Sequence, residues 1–245
     1  MAKVIAVMSP KGGVGKTFIS YELGIALSKL GHHVLVIDTN IYAANLSLYM
    51  GFSHTPTTFN DVIKFSIPPE NAIYKFSPSL SILPATTHVE IEDLNFGTKF
   101  LRNLLFKLSP KFDYIILDTE PGFTKNNESI IQSVEDILLV STPDIPTLMT
   151  THKLVLLLNK FGVKKTSLIL NKVMKAYYEL SDSEIKELMG VDVILKVPFS
   201  KQVVKAVSLR LPLEKGRVFN LFMNLAAKIS GTELKKKSFF SFLRL

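Results

Sequence analysis

Seven short apolar runs recur along the chain, and segments with a helical spacing of apolar residues lie between or after them. The runs cover residues 4–8, 34–37, 80–83, 114–117, 137–140, 168–170 and 191–195. Apolar residues three and four positions apart predict helices over 96–108, 147–161, 181–188 and 218–229. The runs are continuous rather than alternating, which is typical of strands buried on both faces. The pattern therefore predicts an α/β fold, with a mostly parallel twisted sheet of about seven or eight strands and helices on both faces.

Composition favours one compact domain and excludes several classes of protein. The chain has 245 residues, of which 47% are hydrophobic, and it contains no cysteine, which excludes disulfides and thiolate metal sites. We find no Gly/Ser/Pro-rich linker, no apolar run of the roughly 18 to 20 residues that span a bilayer, and no signal segment at the N-terminus. We expect one cytoplasmic domain over residues 1–231, followed by a separate C-terminal segment over 232–245.

A glycine-rich loop follows the first apolar run. Residues 11–17 read Lys-Gly-Gly-Val-Gly-Lys-Thr and lead into an amphipathic helical pattern. In a phosphate loop, glycines let backbone N–H groups point at phosphate oxygens, and the N-terminus of the following helix attracts negative charge. Lys16 would reach the β and γ phosphates, and the Thr17 hydroxyl would hold Mg²⁺. We predict a nucleotide site that includes Gly12, Gly13, Val14, Gly15, Lys16, Thr17 and Phe18.

The second lysine of this loop, Lys11, separates it from an ordinary Walker A loop. With this lysine the sequence resembles the deviant Walker A group of P-loop ATPases that contains MinD, ParA and their relatives. The resemblance implies that Lys11 crosses a dimer interface to the nucleotide of the partner subunit, so that ATP holds a homodimer together. From position alone, Lys11 could instead be a solvated loop lysine.

A second acidic segment follows the run at residues 114–117. It reads Asp-Thr-Glu-Pro-Gly from Asp118 to Gly122 and resembles the Walker B and second switch segment of that group. The resemblance implies that Asp118 orients Mg²⁺ through water and that Gly122 gives flexibility to the sensor of the γ-phosphate. Glu120 stands where the group usually has proline, so the charge and stiffness of this loop are altered.

The first switch carries the main departure from the group. Residues 38–46 resemble its pattern Asp-x-Asp-(x)4-Asn-Leu, but the second aspartate is replaced by Asn40. The resemblance implies that Asp38 belongs to the metal site, that position 40 helps to position the attacking water and that Asn45 lies near the γ-phosphate. An amide can orient water but cannot accept a proton at neutral pH, so we expect slow hydrolysis. Two alternatives stay open: Asn40 orients water well enough, or Glu120 supplies the carboxylate.

Two later segments resemble the adenine pocket of the group. Asn171 follows the run at 168–170, where the resemblance implies that its side chain contacts the base edge, and Pro198 lies in the segment that lines the other side. An asparagine at the end of a strand is also a common turn residue. The preference for ATP over GTP follows from the resemblance.

The C-terminal region carries the excess positive charge. Residues 201–245 contain ten Lys/Arg and two Glu, which gives +8 and equals the net charge of the whole chain. On a helix the tail would place aromatic and aliphatic side chains on one face with lysines beside it, which is typical of a membrane-targeting helix. The alternative is a terminal helix that docks on its own domain. The predicted membrane-binding residues are Lys235, Lys236, Lys237, Phe239, Phe240, Phe242 and Leu243.

These features predict a MinD-like switch that requires ATP and Mg²⁺. We expect it to bind an anionic membrane at the inner face of the cell as an ATP-dependent homodimer and to position a protein assembly, with an unidentified activator or cargo as partner. The alternative is a ParA-like partition ATPase whose ATP dimer binds DNA without sequence specificity through its basic C-terminal region. Iron–sulfur carriers of the same superfamily ligate metal through cysteine, which this chain lacks.

Overall fold

The computed structural model describes residues 1–86 and 94–234. In these residues eight strands form one sheet with the spatial order β3-β4-β2-β5-β1-β6-β7-β8. Every neighbouring pair is parallel except β3 and β4, which are antiparallel. The strands are β1 (Lys3–Met8), β2 (Val34–Asp38), β3 (Tyr74–Ser77), β4 (Leu80–Leu83), β5 (Tyr114–Asp118), β6 (Asp136–Ser141), β7 (Lys165–Val173) and β8 (Val193–Pro198).

Helices cover both faces of this sheet, as the continuous apolar runs predict. The helices are α1 (Lys16–Lys29), α2 (Leu46–Tyr49), α3 (Phe59–Phe65), α4 (Gly97–Leu108), α5 (Lys125–Ile131), α6 (Ile145–Lys160), α7 (Asp182–Met189), α8 (Lys201–Leu209) and α9 (Arg217–Ser230). One buried cluster joins the sheet to α3 and to α4 through α7, and a second joins it to α1, α2, α8 and α9. Within β1, Ala6 and Met8 belong to the first cluster, whereas Ile5 and Val7 belong to the second. Both faces of the strand are therefore core.

The edge strand β3 lies outside the seven predicted runs. Its sequence is Tyr-Lys-Phe-Ser, and its side chains are half-buried or exposed. An edge strand of this kind produces no continuous apolar run. The last strand, β8, begins at Val193 and ends at Pro198, so it lies two to three residues beyond the predicted run at 191–195. The turn before it leaves α7 through the left-handed Gly190 (φ 63°).

Helix α1 lies close against the middle of the sheet. A Cβ added at Gly24 would lie 2.8 Å from Cγ2 of Val36 on β2, so a larger residue there would push the helix away. The start of α1 carries the phosphate loop, so this contact fixes the loop relative to the strand ends. No helix of the described residues is both long and apolar enough to cross a bilayer.

A buried carboxylate ties α1 to the segment between α8 and α9. Oε1 of Glu22, whose side chain is buried, accepts a hydrogen bond from the backbone N–H of Leu213 at 2.9 Å. Burial raises the pKa of Glu22 to about 7, although the bond from Leu213 acts in the opposite direction. The charged form of this side chain therefore destabilises the fold at neutral pH.

We expect Glu22→Gln to stabilise the protein in a pH-dependent way. The pKa of Glu22 in the folded protein lies above the ordinary value for a glutamate, 4.5. Stability from the protonated carboxyl is therefore complete below about pH 4.5 and is lost as pH rises towards 7. At pH 8 the variant should gain up to about 3 kcal/mol in the free energy of unfolding, and near pH 4.5 almost nothing. Urea unfolding at pH 5 and pH 8 measures this difference. Glu214→Gln, an exposed carboxyl of the same segment, is the matched control, and an equal gain at both pH values would contradict the assignment.

Candidate functional site

The glycine-rich loop connects the carboxyl end of β1 to the start of α1. Gly13 (φ 74°) and Gly15 (φ 99°) adopt left-handed backbone angles that other residues rarely adopt. A Cβ at Gly15 would also lie 2.3 Å from Nδ2 of Asn171, so both backbone angle and space require glycine there. The loop is therefore a cradle without side chains at the N-terminus of a helix, and such a cradle suits an anion.

Lys16 begins α1 and is buried within this loop. Burial lowers the pKa of its ammonium group, and the charge of Asp118 partly offsets that effect. Its Nζ donates a hydrogen bond to the carbonyl oxygen of Lys11 at 3.5 Å. A cation that is desolvated and held against the loop backbone is suited to binding phosphate.

Two buried carboxylates lie side by side at the carboxyl ends of β2 and β5. Asp38 and Asp118 are partners in the register of the two strands, and both are buried. Burial raises the pKa of both groups, and the charge of Asp118 raises that of Asp38 further. Oδ1 of Asp118 accepts a hydrogen bond from Oγ of Ser20 at 2.9 Å, and the Thr17 hydroxyl also bonds to Asp118. Two adjacent carboxylates with a hydroxyl beside them form an oxygen donor set that fits Mg²⁺.

Asp38 also organises the first switch. Its carboxylate accepts backbone N–H bonds from Asn40 at 3.0 Å, from Asn45 at 3.2 Å and from Leu46 at 3.1 Å. The side-chain amides of Asn40 and Asn45 each donate to the carbonyl oxygen of Ala43 at 2.8 Å. The loop is thus closed on itself around one carboxylate and one carbonyl.

The second switch turns its acidic side chain away from the loop. The buried carboxylate of Glu120 accepts a hydrogen bond from the Thr124 hydroxyl, and burial raises the pKa of this carboxyl. Gly122 has a left-handed backbone angle (φ 95°), and its N–H donates to the carbonyl oxygen of Ser9 at 3.3 Å. The carboxylate of Glu120 is thus engaged by the N-terminus of α5.

A cavity of about 460 Å³ opens over the phosphate loop and is bounded by the first switch, the end of β7 and α8. Ten of the predicted residues line it: Gly12, Gly13, Gly15, Lys16, Thr17, Phe18, Asn40, Asn45, Asn171 and Pro198. Five others lie elsewhere. Val14 is in the core, Asp38 and Asp118 are buried, Gly122 borders a neighbouring cavity, and Lys11 lies outside the lining. Among the described residues that line the cavity, Thr119 and Pro121 represent the second switch and Glu120 is absent.

Helix α8 supplies one wall of the cavity, and this wall is not among the residues predicted from the sequence. This wall consists of Val203, Val204, Val207 and Ser208. Their spacing of three and four residues is a helical signal that was present in the sequence. An apolar wall opposite a phosphate cradle suits the base and sugar of a nucleotide.

Residues at the end of β7 brace the phosphate loop from the side. Nδ2 of Asn171 donates to the carbonyl oxygen of Val14 at 2.7 Å. Nζ of Lys172 donates to the carbonyl oxygen of Gly13 at 2.8 Å. Asn171 thus lines the cavity while its amide nitrogen is engaged by the loop backbone.

Lys11 is exposed and contacts α6. Its Nζ donates to Oγ1 of Thr147 at 3.0 Å, and this hydroxyl donates in turn to Oδ1 of Asp144 at 2.7 Å. Asp144 also caps α6 by accepting the N–H of Thr147 at 3.0 Å. Lys11 therefore bonds to its own chain here. The predicted tail residues Lys235, Lys236, Lys237, Phe239, Phe240, Phe242 and Leu243 lie outside the described residues.

Comparison with known proteins shows that the chain is similar to P-loop NTPases. The family model for ParA, described as NUBPL iron-transfer P-loop NTPase, matches residues 1–218. The septum site-determining protein MinD of Thermotoga maritima is 31% identical over 243 residues, covering 94% of this chain and 89% of that protein.

Solved structures give the same result. MinD of Pyrococcus horikoshii, solved in complex with Mg-ADP, is 27% identical with a TM-score of 0.84, covering 94% of this chain and 96% of that one. The MinC:MinD cell division protein complex of Aquifex aeolicus matches at 26% identity and a TM-score of 0.83, covering 97% of this chain and 99% of that one.

Proposed function

Because the chain belongs to the ParA/MinD family of P-loop NTPases, we propose that it is a MinD-like switch that binds ATP, hydrolyses it slowly and dimerises around it. In this proposal the ATP-bound dimer binds the membrane through residues 232–245 and positions a partner assembly. The observation that carries the proposal is the cavity over the phosphate loop, which is lined by the buried Lys16, together with the exposed second lysine of the same loop, Lys11.

Different residues of the site would bind the phosphates, the base and the Mg²⁺ of MgATP. Backbone N–H groups of the loop and the ammonium of Lys16 would bind the phosphates, and α8 would cover the base. Thr17, Asp38 and Asp118 would hold Mg²⁺, and this cation would supply positive charge to the phosphates. The raised pKa values of Asp38 and Asp118 and the proximity of the two groups support this role, since a divalent cation offsets the repulsion between paired carboxylates.

Exposed apolar side chains in the cavity and beside Thr147, the partner of Lys11, support dimerisation. Phe199 and Val204 line the cavity and are 53% and 50% exposed. Ile145 and Met149, on either side of Thr147 in α6, are 52% and 45% exposed. Exposed apolar side chains such as these are suited to burial by a second subunit. Lys11 would then leave Thr147 to reach the partner's nucleotide.

Slow hydrolysis is proposed from the first switch. Asn40 lines the cavity with an uncharged side chain, and Glu120 is turned towards Thr124. Among the described residues that line the cavity, none carries a carboxylate. Positioning and electrostatics dominate phosphoryl transfer, so the chain can bind ATP well and still turn it over slowly.

Asn40→Asp should raise the rate of ATP hydrolysis by about tenfold, which corresponds to roughly 1.4 kcal/mol of the barrier. The loop should survive the change, because Asn45 still donates to the carbonyl oxygen of Ala43. Phosphate release at saturating ATP and Mg²⁺ measures the rate. Glu120→Gln is the control: no gain in Asn40→Asp together with lost turnover in Glu120→Gln would assign the role to Glu120.

DNA is the second candidate surface, and exposed basic residues favour it. Lys201, Lys205, Arg210, Lys215 and Arg217 are all exposed on α8 and the segment that leads into α9. A cluster of this kind attracts nucleic acid as well as anionic lipid. Iron transfer is not proposed, because the chain has no cysteine. Flotation with anionic liposomes beside a DNA shift assay, each with ATP and with ADP, tests the proposal. ATP-dependent flotation without a DNA shift is the expected result, and the reverse favours the partition ATPase.

A further inference from the structure

A bulge in β7 brings two consecutive side chains to the phosphate loop. Between Leu170 and Val173, β7 contains one residue more than the facing part of β8. At this bulge Lys172 has a left-handed backbone angle (φ 58°), which is unfavourable for a residue with a side chain. In a regular strand, consecutive side chains point to opposite faces of the sheet. Here those of Asn171 and Lys172 both reach the phosphate loop, and both residues line the nucleotide cavity.

These two side chains hold consecutive carbonyl groups of the loop. Nζ of Lys172 donates to the carbonyl oxygen of Gly13 at 2.8 Å, and Nδ2 of Asn171 donates to that of Val14 at 2.7 Å. Oδ1 of Asn171 accepts the backbone N–H of Lys172 at 2.9 Å, so both ends of this amide are engaged within the protein. An asparagine that recognises adenine through a bidentate pair uses both ends of its amide for the base. The contacts of Asn171 therefore favour a role towards the loop.

The direction of the two carbonyl groups determines what the loop offers to a ligand. In a planar trans peptide, the C=O and the N–H point in opposite directions. Because the carbonyl groups of Gly13 and Val14 point to the end of β7, the N–H groups of Val14 and Gly15 point away from it. Neither N–H has a hydrogen-bond partner among the described residues. Successive free N–H groups bind anions, whereas a carbonyl oxygen in their place would repel phosphate.

We propose that Asn171 and Lys172 are positioning residues for the phosphate loop, and that Asn171 determines affinity for the triphosphate instead of selecting the base. This inference rests on the nucleotide site proposed above and deepens it. The resemblance of the sequence implies instead that Asn171 contacts the base edge, and the two roles predict different results. Loss of a contact that positions the loop weakens every triphosphate by the same factor. Loss of a base contact weakens only the nucleotide with that base.

Binding of ATP, GTP and inorganic triphosphate to the full-length protein, each with Mg²⁺, tests the assignment. Asn171→Ala should weaken all three by about tenfold and Lys172→Met by about three- to tenfold, as the loss of one hydrogen bond predicts. The ratio of ATP to GTP affinity should stay within about twofold of its value in the unmodified protein. Lys172→Arg should recover most of the affinity, because its guanidinium can still donate to the carbonyl oxygen of Gly13.

Lys175→Met is the matched control for the loss of a lysine. Lys175 is exposed on the segment that follows β7 and has the same backbone angle (φ 58°), but its side chain forms no hydrogen bond or ion pair with the described residues. This variant should change each affinity by less than about twofold. An equal loss in Lys175→Met would show that positive charge alone acts, and it would overturn the proposal.

Two further outcomes would also overturn the assignment. One is a loss in Asn171→Ala that is confined to ATP, which would make Asn171 a base-recognition residue. The other is unchanged affinity in Lys172→Met, which exchanges an exposed side chain and is decisive even where Asn171→Ala fails to fold. Both outcomes leave the nucleotide site intact. Failure of the unmodified protein to bind any of the three ligands would instead overturn the nucleotide site itself.

Discussion

Lys11→Ala should keep the protein monomeric in ATP and Mg²⁺, under conditions in which the unmodified protein dimerises. The proposed dimer needs a cation from each subunit at the other's phosphates, and a charge-assisted hydrogen bond of this kind contributes about 1.5 to 3 kcal/mol. Two such contacts are lost per dimer, so dimerisation should weaken by several orders of magnitude. Nucleotide binding by the monomer should change little, because Lys16 is retained. Sedimentation velocity and a titration with labelled ATP measure the two properties separately.

Two matched variants separate the roles of the lysines. Lys16→Ala should lower nucleotide affinity itself by about 100-fold, since it removes the buried cation of the loop. Thr147→Val removes the hydroxyl to which Lys11 donates within its own chain, but it retains the lysine. That variant should still dimerise with ATP. A normal ATP-dependent dimer in Lys11→Ala would remove the assignment of Lys11 to the partner's nucleotide.

The central strands could be predicted from the sequence because each of them is buried on both faces. Such a strand has no polar side to interrupt its apolar run, as in β2 and β5. The edge strand β3 could not be found in this way. Its sequence, Tyr-Lys-Phe-Ser, has no continuous apolar run, and none of its side chains is fully buried. Its antiparallel pairing with β4 depends on a partner strand, which local pattern does not encode.

The residues of the phosphate loop could be predicted because their spacing is local, but their contacts could not. Asn171 is 157 positions from Val14 along the chain, and only the folded sheet brings its amide to the carbonyl oxygen of that residue. The direction of the Glu120 side chain is likewise set by Thr124 on α5. Side-chain direction in the switches is therefore a tertiary property. The wall formed by α8 is different, because its helical spacing is a local signal in the sequence.

Deleting residues 234–245 should abolish binding to anionic liposomes and leave nucleotide binding intact. The prediction rests on sequence, since residues 235–245 lie outside the described part of the chain. One short basic amphipathic helix binds a membrane weakly, with each basic residue contributing about 1 kcal/mol near anionic headgroups. Two tails in one ATP dimer act together and can raise the affinity by about 10²- to 10⁴-fold. Liposome flotation should therefore depend on ATP and weaken with added salt.

Two adjacent substitutions test whether the tail acts through an apolar face. Phe242→Glu puts a charge into the predicted apolar face and should release the protein as fully as the deletion. Ser241→Glu makes a similar change in charge on the opposite face and should have a much smaller effect, so a purely electrostatic tail would respond to both alike. Unfolding of the domain by Phe242→Glu, measured by loss of its thermal transition, would show instead that the tail packs on its own domain. In that case the exposed basic residues of α8 would become the binding surface, and DNA would replace the membrane as the partner.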